Sequence, residues 1–349
     1  MRIAICDPQV PFARGGAEMH TESLARALRE AGHEVELLRI PFKWYPPSEL
    51  VHHMALWRSL DLSETGGDRI DMTIALKFPA YLVRHERKVV WLIHQHRTAY
   101  ELWDHPDFGD LAAHEEGPRV REMIHSADRI ALGEAKRIFT NSANVRERLM
   151  RNLEMSAEAL YHPSSIYEAL LAREPGPYGD YVLFPSRLEG IKRQSLAIDA
   201  MRHVRSGARL ILVGSGADEF ALRRQIEDGG LWNRVEMTGA VSEERLLDLY
   251  AGAGAVYYGP FDEDYGYVTL EAMAVRRPVV TTSDSGGPLE FVAEGETGLI
   301  PPPKPRAIAH ALDRLIGDHG LAERLGAAGQ QFVRDRVPAW PEVVERLLG

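Results

Sequence analysis

The feature that most constrains the fold is a regular alternation of short apolar runs with helical segments in the second half of the chain. Five apolar runs have the length of buried strands, at 181–185, 210–213, 235–238, 255–258 and 279–282. Four segments with helical spacing separate them, at 193–204, 217–228, 243–252 and 268–275. Short apolar runs separated by helices indicate parallel strands that helices cover on both faces. Ligands bind at the carboxyl ends of the strands in such sheets.

The first half opens with the same pattern. Residues 2–7, which contain the apolar run Ile3-Ala4-Ile5-Cys6, are predicted as a buried strand, and 16–31 have helical spacing that ends at Gly32, a residue suited to a helix C-cap. Further elements are predicted as strands at 35–37, 89–93 and 137–141 and as a helix at 120–132. The stretch 41–67 has no clear period, which predicts an elaborated region of loop and helix.

Length and linker composition indicate two domains. The chain has 349 residues, beyond the size at which a single hydrophobic core usually stops growing. The segment 162–181 contains Pro175-Gly176-Pro177 and has linker composition. We therefore predict two doubly wound, Rossmann-like α/β domains that face each other across a cleft, at 1–163 and 164–332. A tail at 333–349 is expected to pack back on the first domain.

Charge and composition exclude several classes of protein. The net charge is −10 and the basic residues are scattered, which argues against nucleic-acid binding. The longest apolar runs fall far short of the ~18–20 residues of a membrane-spanning helix, and no signal peptide is apparent. Cys6 is the only cysteine, so we expect a small buried hydrophobe in a reducing compartment, and hence a cytoplasmic protein. Peripheral contact with the inner membrane face stays open, as does the choice between monomer and homodimer.

The most informative segment is 261–290, which places two glutamates near one helix N-terminus. Glu263 lies in the loop after a strand, where its carboxylate can contact an uncharged polar ligand. Glu271 lies inside the next helix and can accept hydrogen bonds from a diol such as a ribose. The backbone amides near Gly266, Tyr267 and Val268 open that helix and form a potential phosphate site.

The order of residues in this segment resembles the C-terminal signature of glycosyltransferase family 4, a large family of retaining GT-B enzymes. Seven residues separate the two glutamates, and Ala272-Met273-Ala274, Pro278-Val279-Val280, Gly286-Gly287 and Glu290 follow in order. Arg276-Arg277 departs from the pattern, because a small residue usually precedes the proline. We expect this departure to alter a helix end and not the chemistry. The resemblance is dense over 261–298 and loose over 42–89.

The same segment contains Asp262-Glu263-Asp264, which matches the Asp-x-Asp pattern of metal-dependent glycosyltransferases. Those enzymes have a single-domain GT-A fold, whereas this chain alternates strands and helices in two halves. We therefore predict that no metal site and no cofactor are present.

A second cluster follows the first strand of the second half. Arg187 and Lys192 can bracket a diphosphate there, one with a bidentate fork and the other with a point charge. The family resemblance assigns both to the donor pyrophosphate. It also places Gly214 in a glycine turn, and Gly239 and Val241 in the loop that lines the nucleotide base.

In the first half, Gly15 and Gly16 join the first strand to the first helix, where close approach of an anion is possible. The third glycine of the dinucleotide fingerprint is missing, which argues against a hydride-transfer enzyme. The resemblance places Gly16 near the donor phosphate. It assigns His94, with His96 as the substitute, to contact the transferred sugar and line the acceptor site, which Gly15 and Gly16 also border.

The resemblance implies a retaining transfer of a sugar from a nucleotide diphosphate to a hydroxyl acceptor, without a side-chain nucleophile. The acceptor is a glycan, a lipid-linked molecule or a small molecule. Glu263, His94, Arg187 and Lys192 are the expected catalytic residues. Two alternatives stay open: a sugar-nucleotide epimerase or glycan phosphorylase on the same fold, and a catalytically silent protein that binds a nucleotide sugar.

Overall fold

The computed structural model describes all 349 residues, which divide into two compact units. Unit 1 consists of Met1–His162 together with Ala339–Gly349, and unit 2 of Pro163–Pro338. The expected tail boundary at 333 falls inside the last helix of unit 2. No helix in the structure combines the length and the apolar character needed to cross a membrane.

Unit 1 is built on a six-stranded parallel sheet. Its strands are β1 (Arg2–Gln9), β2 (Glu34–Pro41), β5 (Met72–Lys77), β6 (Lys88–His94), β7 (Arg137–Thr140) and β8 (Glu158–Ala159), with a short hairpin of β3 (Glu64–Thr65) and β4 (Asp68–Arg69). Its helices are α1 (Gly16–Glu30), α2 (Pro47–Ser59), α3 (Gly117–Gly133), α4 (Ala143–Leu153) and the C-terminal α12 (Trp340–Leu348). The strand order is β2-β1-β5-β6-β7-β8.

Both faces of this sheet are buried, as the apolar runs predict. Along β6, Val89 and Trp91 pack into one core, whereas Val90 packs into the core on the opposite face. Cys6 belongs to the second of these cores, and burial raises the pKa of its thiol to about 12. The expectation of a small buried hydrophobe at Cys6 is confirmed.

Unit 2 repeats the architecture around its own core. Its strands are β9 (Tyr181–Pro185), β10 (Arg209–Val213), β11 (Val235–Gly239), β12 (Ala255–Tyr257), β13 (Val279–Val280) and β14 (Gly298–Leu299). Its helices are α5 (Tyr167–Ala172), α6 (Gln194–Met201), α7 (Glu219–Asp228), α8 (Glu243–Gly252), α9 (Tyr267–Ala274), α10 (Pro305–Gly317) and α11 (His319–Arg336). All strands are parallel, in the order β11-β10-β9-β12-β13-β14.

The Arg276-Arg277 pair does lie at a helix end. Arg276 follows α9 with φ of +57°, a left-handed conformation. Arg277 is buried and donates to the carbonyl oxygens of Gly176 and Ala251, and its guanidinium lies 4.5 Å from the centre of the Tyr178 ring. Arg277 therefore holds the segment around Gly176, which precedes β9, against the C-terminal end of α8.

The strand orders place one topological switch point in each sheet. In unit 1 the chain adds β2 on one side of β1 and later strands, from β5 onwards, on its other side; in unit 2 it adds β10 on one side of β9 and later strands, from β12 onwards, on its other side. Loops leave these neighbouring strands on opposite faces of the sheet and open a crevice at their carboxyl ends. The residues that follow β1, β5, β9 and β12 are therefore the ones to inspect for a ligand site.

Candidate active site

The switch point of unit 2 brings two of the predicted residues into direct contact. The loop after β9 and the loop after β12 lie side by side, and the Phe261 amide donates to the Ile191 carbonyl at 2.9 Å. The Lys192 ammonium forms an ion pair with the Glu263 carboxylate, which also accepts the Tyr258 hydroxyl at 3.0 Å. Burial, followed by the charge of Glu263, raises the pKa of Tyr258 well above its usual value, so this hydroxyl stays a donor.

The backbone of Glu263 is held by the glycine-containing segment that follows β13. The Glu263 amide donates to the Ser285 carbonyl at 2.8 Å, and the Gly287 amide donates to the Glu263 carbonyl at 2.8 Å. A Cβ atom on Gly287 would lie 2.7 Å from the Tyr265 carbonyl oxygen, so a side chain would separate the two segments. The close contact between these two segments therefore requires glycine at 287, which explains why the double glycine occurs together with Glu263.

Arg193, which the sequence analysis did not select, joins the three loops around this site. Its guanidinium donates to the carbonyls of Gly259 and Pro260 at 2.9 and 2.7 Å. It also donates to the Thr282 hydroxyl and to both carboxylate oxygens of Asp284, each at 2.8 Å. Burial tends to raise the pKa of Asp284, but the hydrogen bonds and charge of Arg193 lower it below its usual value. Only its position, one residue after Lys192, pointed to Arg193 in the sequence.

Arg187 lies in the same loop and is more exposed than Lys192. Its guanidinium forms a 2.8 Å ion pair with Glu189, and both side chains remain accessible to water. Buried Gln194 holds this loop in place, because its side-chain amide donates to the Ser186 hydroxyl and to the Arg187 carbonyl. Because an exposed pair of this kind contributes little energy, a ligand anion can compete with Glu189 for the arginine.

The helix N-terminus predicted to bind phosphate starts at Gly266, whose φ is +94°. Tyr267 and Val268 form its first turn, and Glu271 lies in its second turn. The Glu271 carboxylate is buried and accepts the Tyr250 hydroxyl at 2.7 Å. Burial raises the pKa of Glu271. A carboxylate has about four acceptor positions, so one donor, the Tyr250 hydroxyl, leaves capacity for the hydroxyls of a ligand.

The remaining predicted residues of unit 2 lie on the neighbouring loops of the same sheet edge. Gly214 has φ of +129°, and a Cβ atom there would lie 2.1 Å from the Ser186 carbonyl oxygen. Its amide donates to the Gly239 carbonyl at 2.9 Å, and Val241 follows in the loop before α8. The loops after β9, β10 and β11 are therefore in close backbone contact, which only glycine permits at 214.

The switch point of unit 1 contains a buried charged cluster that the sequence analysis also missed. The Lys77 ammonium lies 3.4 Å from Asp7 and 3.3 Å from Glu18, and the Thr21 hydroxyl donates to Asp7 at 3.0 Å. The other Glu18 oxygen accepts the Gly15 amide at 2.8 Å, at the start of α1. The Gly15-Gly16 turn is thus held by a cluster at the ends of β1 and β5. The signal for this cluster in the sequence was Lys77, a charged residue at the end of an apolar run.

His94 is the last residue of β6 and pairs in register with Lys77 of β5. Its Nδ1 lies 2.7 Å from the Gln95 carbonyl oxygen. His96 is half-buried, and burial lowers its pKa to about 3, so it is neutral at physiological pH. The structure therefore places His94 beside the charged cluster of unit 1, whereas His96 turns towards Phe78, 5.1 Å away between ring centres.

Asp262 and Asp264, the outer residues of the acidic triplet, flank Glu263 in the loop after β12. No group of three or more His, Cys, Asp or Glu side chains in the structure is arranged to hold a metal ion. The Glu263 carboxylate of that triplet faces Lys192 and Tyr258.

Comparison with known proteins finds a matching family, relatives and similar folds. Residues 175–332 match the family described as glycosyl transferases group 1. An uncharacterized glycosyltransferase of Methanocaldococcus jannaschii is 24% identical, over 96% of this chain and 93% of that protein. Sucrose-phosphate synthase from Thermosynechococcus elongatus superposes with a TM-score of 0.75 at 20% identity, over 99% of this chain and 97% of that one. Anabaena HepE, solved in complex with UDP-glucose, superposes with a TM-score of 0.71 at 18% identity, over 100% and 98%.

The matched residues 175–332 lie within unit 2 and include Lys192, Glu263 and Glu271. Over residues 175–332 the resemblance read from the sequence is confirmed at the level of group 1 glycosyltransferases, and the predicted GT-B fold is confirmed by the two parallel sheets and the superpositions.

Proposed function

We propose that this chain is a retaining, metal-independent glycosyltransferase, because residues 175–332 match the glycosyl transferases group 1 family and the chain has the GT-B fold. Unit 2 binds a nucleotide diphosphate sugar, and unit 1 binds the hydroxyl acceptor. The observation that carries the proposal is the contact of Lys192, Glu263 and Tyr258 at the switch point of unit 2. A cation in this crevice can bind a diphosphate, and the carboxylate beside it can accept hydrogen bonds from the hydroxyls of an uncharged sugar.

In this proposal the donor spans the four neighbouring loops that follow β11, β10, β9 and β12. Arg187 and Lys192 face the diphosphate, and the amides at the start of α9, from Gly266 to Val268, share its negative charge. Glu271 accepts the ribose hydroxyls from inside α9. The turn at Gly214 and the loop at Gly239 and Val241 border the base.

The proposed transfer proceeds on one face of the sugar. The bond from the anomeric carbon to the diphosphate oxygen breaks, and its electron pair leaves with the diphosphate. The acceptor hydroxyl attacks from the same face, and its proton passes to a phosphate oxygen, so the anomeric configuration is retained. Arg187 and Lys192 offset the charge that builds on the leaving group, while Glu263 and His94 orient the sugar. Fixed cations and helix amides therefore supply the stabilisation that a metal ion provides in other enzymes.

Unit 1 is the proposed acceptor side, with Gly15, Gly16 and His94 bordering it. The lone buried cysteine suits a reducing compartment, so we place the reaction in the cytoplasm.

The test begins with a panel of UDP-, GDP-, ADP- and dTDP-sugars in thermal unfolding. A donor at one hundred times its Kd adds ~2.7 kcal/mol of stability. The stabilising donor is then used for initial rates with Arg187→Ala and Lys192→Ala, and each variant should lose about 2–4 kcal/mol of transition-state stabilisation. Arg209→Ala, at the amino-terminal end of β10, is the matched control.

Three outcomes would contradict the proposal. If both variants keep wild-type turnover, the diphosphate lies elsewhere. Isomerisation of the free donor without any acceptor would instead show an epimerase. Donor binding without transfer or hydrolysis would show a silent binding protein.

A further inference from the structure

One fully buried carboxylate of unit 1 belongs to neither switch-point cluster. Asp128 lies on α3, and no cation neutralises it. Its Oδ1 accepts the Tyr81 hydroxyl at 2.9 Å, and its Oδ2 accepts the Tyr100 hydroxyl at 2.8 Å and the Gln95 side-chain amide at 3.1 Å. A buried charge is costly unless it is paired, so a carboxylate that has only three neutral donors needs a reason beyond packing.

The three donors suit the ionised form of Asp128. Burial raises the pKa of Asp128 to about 6, although the hydrogen bonds from Tyr100, Tyr81 and Gln95 oppose this rise. Burial, followed by the charge of Asp128, raises the pKa of both tyrosines well above the usual value, so their hydroxyls remain donors. Asp128 is therefore ionised at neutral pH and takes up a proton in mildly acidic solution.

Other ionisable groups surround the two tyrosines, but each makes its own contacts. They are Arg58 on α2, Lys88 on β6, Glu101 in the loop after β6, and His125, Arg129 and Glu134 on α3. Arg58 and Lys88 both pair with Glu134. The His125 ring stacks on Tyr100, and burial lowers the pKa of this histidine. Its Nε2 donates to the Ala99 carbonyl at 2.8 Å and not to Asp128.

Gln95 connects the buried carboxylate to the histidine at the end of β6. It lies between His94 and His96 and is buried. Its side-chain oxygen accepts the Asn152 amide of α4 at 3.0 Å, so its side-chain nitrogen faces Asp128. Its backbone carbonyl accepts a hydrogen bond from His94 Nδ1 at 2.7 Å. Because a carbonyl only accepts, Nδ1 carries the proton, and Nε2 is the accepting nitrogen of the neutral ring.

We propose that Asp128 is a positioning residue for His94: its ionised carboxylate holds the Gln95 side chain, and the Gln95 carbonyl fixes the His94 ring. This inference rests on the proposed function, in which His94 orients the transferred sugar. A proton on Oδ2 of Asp128 turns that oxygen into a donor, and the Gln95 nitrogen, which only donates, no longer fits it. Gln95 then turns, and the His94 ring loses its fixed partner. Sugar transfer therefore falls in mildly acidic solution.

The test measures kcat for hydrolysis of the stabilising donor by the full-length protein between pH 5 and 8.5, with water as the acceptor. The wild-type kcat should fall on the acidic side with an apparent pKa of about 6. Asp128→Asn has the same shape but cannot ionise, so its kcat at pH 8.5 should be about tenfold lower and should lack this acidic limb. Affinity for the nucleoside diphosphate should stay the same in calorimetry, because unit 2 is unchanged. If Asp128→Asn keeps the wild-type kcat or the wild-type acidic limb, the proposal is wrong.

Tyr81→Phe is the matched control, because it removes one donor to the same carboxylate and leaves Gln95 in place. Its kcat at pH 8.5 should stay within about twofold of wild type, whereas its acidic limb should move to higher pH, since the ionised form loses one hydrogen bond. A kcat that decreases in parallel with Tm in both Tyr81→Phe and Asp128→Asn would show a merely structural role and overturn the proposal.

Gln95→Met tests the connection itself and does not depend on whether Asp128→Asn folds. It should also lose about tenfold in kcat together with the acidic limb. The double variant should lose no more than either single variant, because both changes break the same contact. Losses that multiply to about a hundredfold in the double variant, or an acidic limb that persists in Gln95→Met, would contradict the proposal.

Hydrogen exchange of the segment 93–103, followed by mass spectrometry, provides a measurement that needs no catalysis. Exchange in this segment should rise more in Asp128→Asn and Gln95→Met than in Tyr81→Phe. Equal exchange in all three variants would count against the proposal. If the wild type neither hydrolyses nor transfers any donor while exchange still rises in the first two variants, the proposed function fails, but the coupling of Asp128 to the His94 segment stands.

Discussion

Replacing Arg193 with glutamine should destabilise unit 2 and weaken donor binding together. The arginine makes five hydrogen bonds to two loops, those after β12 and β13, and two of these bonds are to the Asp284 carboxylate. Glutamine is shorter and neutral, so at most one of these bonds survives. The Gly259 and Pro260 carbonyls lose their donor, and Asp284 loses its cation.

The structure sets the size of the effect. A hydrogen bond between neutral groups contributes about 0.5–1.5 kcal/mol and one to a charged group about 1.5–3 kcal/mol. The Arg193 side chain is only 15% exposed, but the loops can relax, and water replaces part of the pair with Asp284. We therefore expect a loss of about 3 kcal/mol in the free energy of unfolding. In a domain of this size that corresponds to a decrease in Tm of about 6–12 °C.

Thermal and urea unfolding of the full chain measure this loss. The control is Arg223→Gln, because Arg223 also pairs with a carboxylate, Glu219, at 2.9 Å, but on the surface of α7 with half of its side chain exposed. That variant should lose less than about 1 kcal/mol. The KM for the stabilising donor should rise only in Arg193→Gln, because Lys192 and Glu263 depend on the loops that Arg193 joins. A Tm decrease no larger than that of the control, with an unchanged donor KM, would refute the reasoning.

Three further predictions concern the chemistry and the response to pH. Transfer should continue in excess EDTA, and complete loss that only Mn²⁺ or Mg²⁺ restores would assign Asp262-Glu263-Asp264 to a metal. Glu271→Gln should mainly weaken binding of the nucleoside diphosphate in calorimetry, whereas Glu263→Gln should reduce kcat and leave that affinity nearly intact; the reverse pattern would exchange their roles. His20 is buried against Trp91, and burial lowers its pKa to about 3, so the unfolded chain binds a proton that the folded chain does not as pH falls below 6.5. Urea unfolding should therefore show a loss of about 2 kcal/mol from this group by pH 5, and His20→Phe should flatten that slope; an unchanged slope would contradict the assignment.

Local pattern predicted the elements from β9 to α9 well because most of these strands and helices have a clear period, whereas α5, β14, α10 and α11 were not predicted. Strands β9 and β10 and helices α7 to α9 lie within two residues of the predicted segments. In unit 1 the prediction was less complete. Strand β5 was not identified because a short apolar run cannot be told from a buried helical segment by its period. The irregular stretch 41–67 contains helix α2 and strand β3, and β4, the hairpin partner of β3, follows directly after it.

The start of α6 shows where local reasoning reaches its limit. The helical spacing suggested a start at 193, whereas the helix begins at Gln194, because Arg193 adopts the left-handed conformation with φ of +58°. That conformation is uncommon for a residue with a side chain. Five hydrogen bonds from distant loops stabilise the arginine there, and no local preference predicts them.

By itself the sequence determined the class of fold, the loops that carry the chemistry, and the residues Arg187, Lys192, Glu263 and Glu271 as candidates. Only the tertiary structure decided which of these residues meet. Lys192 and Glu263 are 71 residues apart and form an ion pair because β12 lies directly beside β9. Strand order depends on the packing of both faces of the sheet, whereas periodicity reports only the environment of one segment. The partners of the site, Arg193 in unit 2 and Lys77 in unit 1, were therefore visible only once the sheets were assembled.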